Sequence, residues 1–252
     1  MERRKKKTAD VKGQRVLAIA ILLIACVMIV VLTGSKNRLN EVVINRIPGN
    51  YVSVSDEEII RTSGLKMGAQ ISSIAEMSKK VESGINSGGK VKFEQMTRVS
   101  GRCIEITVSA REPIAVINSA GSYVLIDKDG CVMDILMTLP TDNIVYVTGA
   151  EILTQEKGRT FATRKEAQLK AIIDIALAIR NGGYQSTYSE LNVKDVKDIL
   201  LITNTSQIIE IFDGSDIEKK LKIADEIIRE GNTKGKISIS GNYAGYLPPE
   251  GS

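Results

Sequence analysis

Residues 102–117 read RCIEITVSAREPIAVI. Ile104, Ile106 and Val108 alternate with polar neighbours, the period of two expected of a half-buried strand. Arg111-Glu112-Pro113 then punctuates the chain. Ala115-Val116-Ile117 beyond it is a strand of different texture, apolar without alternation. The chain divides at this point into segments 41–112 and 113–240.

On the N-terminal side, Val42, Ile44 and Ile47 predict a strand that Pro48-Gly49-Asn50 ends in a turn. Ser55 with Glu58 three residues later is a capping box that opens a short helix, and Gly64 stops it. A second helix carries Ile71, Ile74, Val81 and Ile85 and ends near Ser87-Gly88-Gly89. Strands over 91–99 and 102–109 complete a β-α-α-β-β order, a compact α+β unit. On the C-terminal side, strands at 115–117, 123–126, 131–133 and 144–147 precede a helix over 164–180. A hairpin over 198–203 and 207–212 follows. Ser215, with Glu218 in the box position, is the expected cap of a last helix with Ile217, Leu221, Ala224 and Ile228 as its stripe. Lys236–Ser240 is the expected final strand, and 241–252 a Pro-containing tail.

Upstream stands VLAIAILLIACVMIVVLT, residues 16–33, an uncharged run of 18. At a rise of about 1.5 Å per residue it predicts a single transmembrane helix. The tail 1–15 holds seven Lys and Arg against Glu2 and Asp10, a net of +5 in a chain of +4. The basic charge therefore belongs to the tail, and none remains for nucleic acid. By the positive-inside rule the N-terminus is expected in the cytoplasm and the C-terminus outside the cell membrane, with the lipid bilayer as a partner and 34–40 as linker. A cleaved signal peptide is disfavoured because its apolar core is about 7–15 residues long. A lipoprotein signal around Leu23-Ile24-Ala25-Cys26 is disfavoured because apolar residues, not a polar tether, follow Cys26. Cys103 and Cys131 are either one disulfide or two separate thiols, since spacing does not show pairing.

Catalytic equipment is sparse. The chain has no His, which removes every Ser-His, Cys-His and His-metal arrangement. No Ser/Lys pair sits in a recognisable motif, and neither a phosphate loop nor a dinucleotide fingerprint occurs. Asp127-Lys128-Asp129-Gly130 starts like a calcium loop, but the pattern fails at Cys131-Val132-Met133, so a hairpin turn is expected there. The expectation is therefore no enzyme, no metal, no cofactor and no small-molecule substrate. What remains is surface: open sheet edges invite strand addition by a partner. Lys236, Ile237, Ser238, Ile239 and Ser240 are the candidate edge.

Several pieces, in this order and spacing, resemble the FtsQ/DivIB family of bacterial cell-division proteins. They are Ile44-Asn45-Arg46-Ile47-Pro48-Gly49-Asn50-Tyr51, Ser63-Gly64-Leu65-Lys66-Met67-Gly68, and Ile104–Val108 leading into Arg111-Glu112-Pro113-Ile114. Tyr123–Asp127 with Asp129-Gly130, Val147-Thr148-Gly149, and Lys220-Leu221-Lys222 before Gly235-Lys236-Ile237 continue the series. The resemblance implies a transmembrane helix, a polypeptide-transport-associated (POTRA) domain over 41–112 and a β-rich domain with two packed helices over 113–240. It implies a non-enzymatic divisome scaffold at the septum, gathering FtsL-type and FtsB/DivIC-type partners for septal peptidoglycan synthesis. Carried over by position, the partner-binding residues are Lys236, Ile237, Ser238, Ile239 and Ser240, with Tyr243 beyond. Two positions depart from the family. Ala110 stands where a Glu often precedes the junction Arg, so no charged contact at the junction is read from the sequence. Ser238 stands where Asp usually follows the Ile of the last strand. The alternative is a membrane-anchored POTRA-like module of a secretion or sporulation complex.

Overall fold

The structure, a computed structural model, describes residues 19–29, 37–49, 54–141, 143–231 and 235–248. The described residues form an α+β fold with a three-stranded sheet, a nine-stranded sheet, a two-stranded hairpin and two separate apolar cores.

The first core lies under a three-stranded sheet of β1 (Glu41–Arg46), β2 (Val91–Arg98) and β3 (Cys103–Ala110), in the order β1-β3-β2. β1 runs parallel to β3, and β2 antiparallel to it. Ile104, Ile106 and Val108 are fully buried, as their alternation requires. Helices α2 (Asp56–Ser63) and α3 (Ile74–Ser87) supply Ile59, Val81 and Ile85 to the same core. Ser55 caps α2 by accepting the Glu58 amide at 3.2 Å, and Gly64 ends it in the left-handed region.

The second core is larger. Strands β4 (Pro113–Ser119), β5 (Ser122–Asp127), β6 (Val132–Leu136), β7 (Val145–Thr148), β10 (Tyr188–Asn192), β11 (Ile199–Thr203), β12 (Ile208–Phe212), β13 (Lys236–Ser240) and β14 (Tyr243–Leu247) form one sheet. Its order is β14-β13-β12-β11-β10-β7-β4-β5-β6. A small hairpin of β8 (Ile152–Thr154) and β9 (Ala162–Thr163) stands apart. Helices α4 (Glu166–Asn181) and α5 (Ile217–Arg229) cover one face, with Ile172, Ile175, Ile179, Leu221 and Ala224 in the core. Gln168 is fully buried on α4. It donates to the carbonyls of Val193 and Gly149 and accepts the Glu151 amide, so it joins the helix to the end of β7.

One buried ion pair joins the two units. Arg111, between β3 and β4, pairs with Asp127 on the β5–β6 turn, and their side chains are 6% and 3% exposed. The other Asp127 oxygen accepts the amides of Asp129 (3.0 Å) and Cys131 (2.7 Å), which shapes the turn. Lys92 of β2 reaches Asp129 at 2.7 Å. The C-terminal end of α3 approaches β6 so closely that a Cβ at Gly89, which has a φ of +71°, would fall 2.3 Å from the Met133 carbonyl oxygen. The missing Glu at position 110 therefore does not leave the junction uncharged, because Arg111 finds its acid across the interface.

Two expectations are corrected. Residues 19–29 are helical (α1). Among the described residues no helix is long and apolar enough to cross a membrane. The transmembrane helix expected over 16–33 is thus not supported, nor are the single-pass topology and bilayer partnership built on it. Residues 16–18 and 30–33 and the basic tail 1–15 lie outside the described residues. The second correction concerns α5. Its N-cap is Asp216 at a φ of 49°, because the Ser215 hydroxyl instead donates to Asp213 in a turn of its own.

Cys103 and Cys131 are two separate buried thiols, and burial pushes both above the usual thiol range. Both should resist a thiol reagent in native buffer and react together on unfolding; a native disulfide in mass spectrometry would contradict this. Asp127→Ala should lower the unfolding free energy by about 3–5 kcal/mol, the usual cost of orphaning a buried ion. Asp127→Asn, which keeps an acceptor for the two turn amides, should cost clearly less. Equal losses in denaturant titrations would show that those amide bonds contribute nothing.

Candidate functional site

The candidate edge lies where β12, α5, β13 and β14 meet. β13 runs parallel to β12 and antiparallel to β14, with Ser238 opposite both Glu210 and Gly245. Ile237 and Ile239 point into the second core and are fully buried, whereas Lys236, Ser238 and Ser240 take the opposite face. The expected residues are therefore gathered on one strand, but that strand is one position in from the edge. Tyr243, expected just beyond it, opens β14 and is 84% exposed. Residues 243–247, expected within the tail, are the true edge of the sheet.

Sequence reasoning missed a polar cluster on the open face. Glu210 of β12 accepts from Lys236 Nζ at 2.9 Å and from Ser238 Oγ at 2.6 Å. The Ser238 hydrogen bond is the main cause that holds the Glu210 carboxyl below its usual range; neighbouring Asp198, sharing a hydrogen bond with it, is raised. Around this cluster the sheet leaves apolar side chains in solvent. Ile208, in register with Lys236 and Leu247, is 40% exposed, and Phe212 at the end of β12 is 38% exposed.

Phe212 is held in an uncommon way. Its φ is 58°, a region that a bulky side chain rarely adopts. Lys220 of α5, only 3% exposed, donates from Nζ to the carbonyls of Ile211 (2.9 Å) and Asp213 (3.0 Å), one on each side of Phe212. It also reaches Asp213 Oδ1 at 2.8 Å. One buried cation thus fixes the strand end that presents Phe212. No local signal marks Lys220 in the sequence, because the carbonyls that need it lie seven to nine residues upstream on another element.

A cavity of about 550 Å³ lies between α4 and the start of α5, and a cleft of about 520 Å³ lies at the junction. The junction cleft's cations pair with its acids: Lys92 and Lys128 with Asp129, Arg111 with Asp127, and Arg180 with Glu112. Among the described residues no group of His, Cys, Asp and Glu has the arrangement to hold a metal ion.

These features describe an α+β protein with two apolar cores, whose long sheet ends in an exposed edge strand beside an open, partly apolar face. No family model matches the chain. Two similar curated proteins are both named Cell division protein DivIB. One is from Clostridium botulinum strain Loch Maree / Type A3 and the other from strain Hall / ATCC 3502 / NCTC 13319 / Type A. Each is 23% identical over 242 residues, which cover 94% of this chain and 93% of the relative. A match that runs almost end to end through both chains supports assignment to the DivIB/FtsQ family.

The Lys220 hydrogen bond, helped by Ser215, holds the Asp213 carboxyl at about 2. A depressed carboxyl stabilises the fold above its unfolded value of about 3.9, and that contribution is lost as pH falls from about 4 towards about 2. Asp213→Asn should flatten this part of the pH dependence of the denaturation midpoint. An unchanged acid limb would show that the Lys220–Asp213 bond is not coupled to folding.

Proposed function

We propose that this chain is a non-enzymatic component of the bacterial division machinery. It recruits or stabilises partners of the FtsL and FtsB/DivIC type at the division septum, for septal peptidoglycan synthesis. In this reading residues 41–112 are a POTRA domain and 113–240 a β-domain, and Lys236–Ser240 with Tyr243 lie within the partner-binding region. The observation that carries the reading is the chain-long similarity to proteins named for cell division. The sheet edge supports the choice of region. An edge strand offers unpaired backbone donors and acceptors to an incoming strand, and exposed Ile208 and Phe212 offer it apolar contact. The buried junction supports a scaffold role, since it fixes the second unit's edge relative to the first unit.

The reading is tested by a fluorescent fusion in dividing cells and by pull-down with the FtsB/DivIC-type partner. The fusion is expected at the septum; a uniform distribution would overturn the division role. Ile208→Lys and Phe212→Ser change exposed side chains on β12. Each should weaken partner binding about tenfold or more, the scale of an interface anchor, with an unchanged unfolding midpoint. Wild-type affinity in both variants would move the binding region elsewhere.

A further inference from the structure

We infer that β14 is a displaceable strap that covers the β13 edge and competes with the partner strand for it; this rests on the partner-binding reading above. Three observations carry it. First, every residue of β14 is exposed, including Tyr243 at 84% and Leu247 at 61%, and its centre is Ala244-Gly245. The strand at the opposite edge, β6, fully buries Val132. Second, among the described residues β14 pairs in the sheet only with β13, through a tight Gly241-Asn242 turn in which Gly241 has a φ of +58°. At this turn Lys219 on α5 donates to Asn242. Third, β13 does not depend on β14. It is paired with β12 on its other side, and its Ile237 and Ile239 are locked in the core with Leu221 of α5.

Segments with little buried apolar surface open at low free-energy cost. Lifting β14 would uncover the outer backbone groups of β13 while leaving the second core intact. An extended antiparallel segment of a partner fits that vacated position in the register that β14 now holds, with Ser238 opposite Gly245. Because β14 is tethered by a two-residue turn, it competes at a high effective concentration. Partner affinity is lowered by the fraction of chains in which the strap is closed.

Two experiments test the strap. In the first, a labelled peptide of residues 241–248, GNYAGYLP, is titrated against the chain ending at Ser240 and against the full chain. The shortened chain should bind it, and the full chain about tenfold more weakly or worse. Equal affinity, or no binding to a folded shortened chain, overturns the strap. In the second, Ser238→Cys with Gly245→Cys is made in a Cys26→Ser background, and full-length chain is kept throughout. A Cβ at Gly245 meets nothing within 4 Å, so the site accepts a side chain. The oxidised form should bind the purified FtsB/DivIC-type protein at least about tenfold more weakly than the reduced form. Equal binding of the two forms overturns competition and assigns the partner to the outer edge of β14. If neither form nor the wild type binds that protein, the functional reading fails, and the peptide titration still decides the strap.

Discussion

Arg111 and Asp127 hold the molecule together at the point where it would otherwise be two. Each belongs to a different unit's border, and each is almost completely withdrawn from water. Such a pair is not a strong source of stability, since desolvation offsets much of the attraction. Its value lies in the penalty for separating it. Moving the second unit off the first would break this pair together with the Lys92–Asp129 and Arg180–Glu112 contacts. The same carboxylate fixes the turn amides of Asp129 and Cys131, so the pairing geometry and the β5–β6 hairpin are set together. The close approach of Gly89 to Met133 adds a steric reason for one docking geometry.

From that fixed junction the long sheet runs outward to β12, β13 and β14. The far end is built differently from the middle. In the middle, β11 buries Ile199 and Leu201 in the core. At the end, Lys220 spends its charge on the carbonyls around Phe212, and Glu210 gathers Lys236 and Ser238 on the open face. Polar side chains there organise the backbone, while Ile208 and Phe212 stay in solvent. An end assembled in this way is suited to receive another chain.

Much of this was legible in the residues. Period-two alternation located β3, and the Ser55 box located the start of α2. Other features left no readable trace. The Arg111–Asp127 pair joins residues 16 apart with no local pattern, and Ala110 pointed away from a charged junction. β10 was missed because a bulge between Tyr188 and Glu190 breaks the alternation that would have marked it. β14 was read as tail because Ala244, Gly245 and Pro248 dilute its strand character. The Gly241-Asn242 dipeptide was the available signal, since Gly-Asn between two short runs marks a hairpin. Ser215 was given to α5 although Asp213 lies two residues before it and takes its hydroxyl. Hydropathy over 16–33 predicts a span, yet among the described residues no helix is long and apolar enough to cross a membrane.

The central claim is that recognition is confined to the far end of the long sheet while the junction stays closed. Amide hydrogen exchange of the full chain, alone and with the FtsB/DivIC-type partner, tests it most directly. The account predicts that exchange changes on binding within 208–212 and 236–247, with the amides of Asp129 and Cys131 equally protected in both states. Changes centred on β1 or on the β5–β6 turn, with 236–247 unaffected, would contradict it.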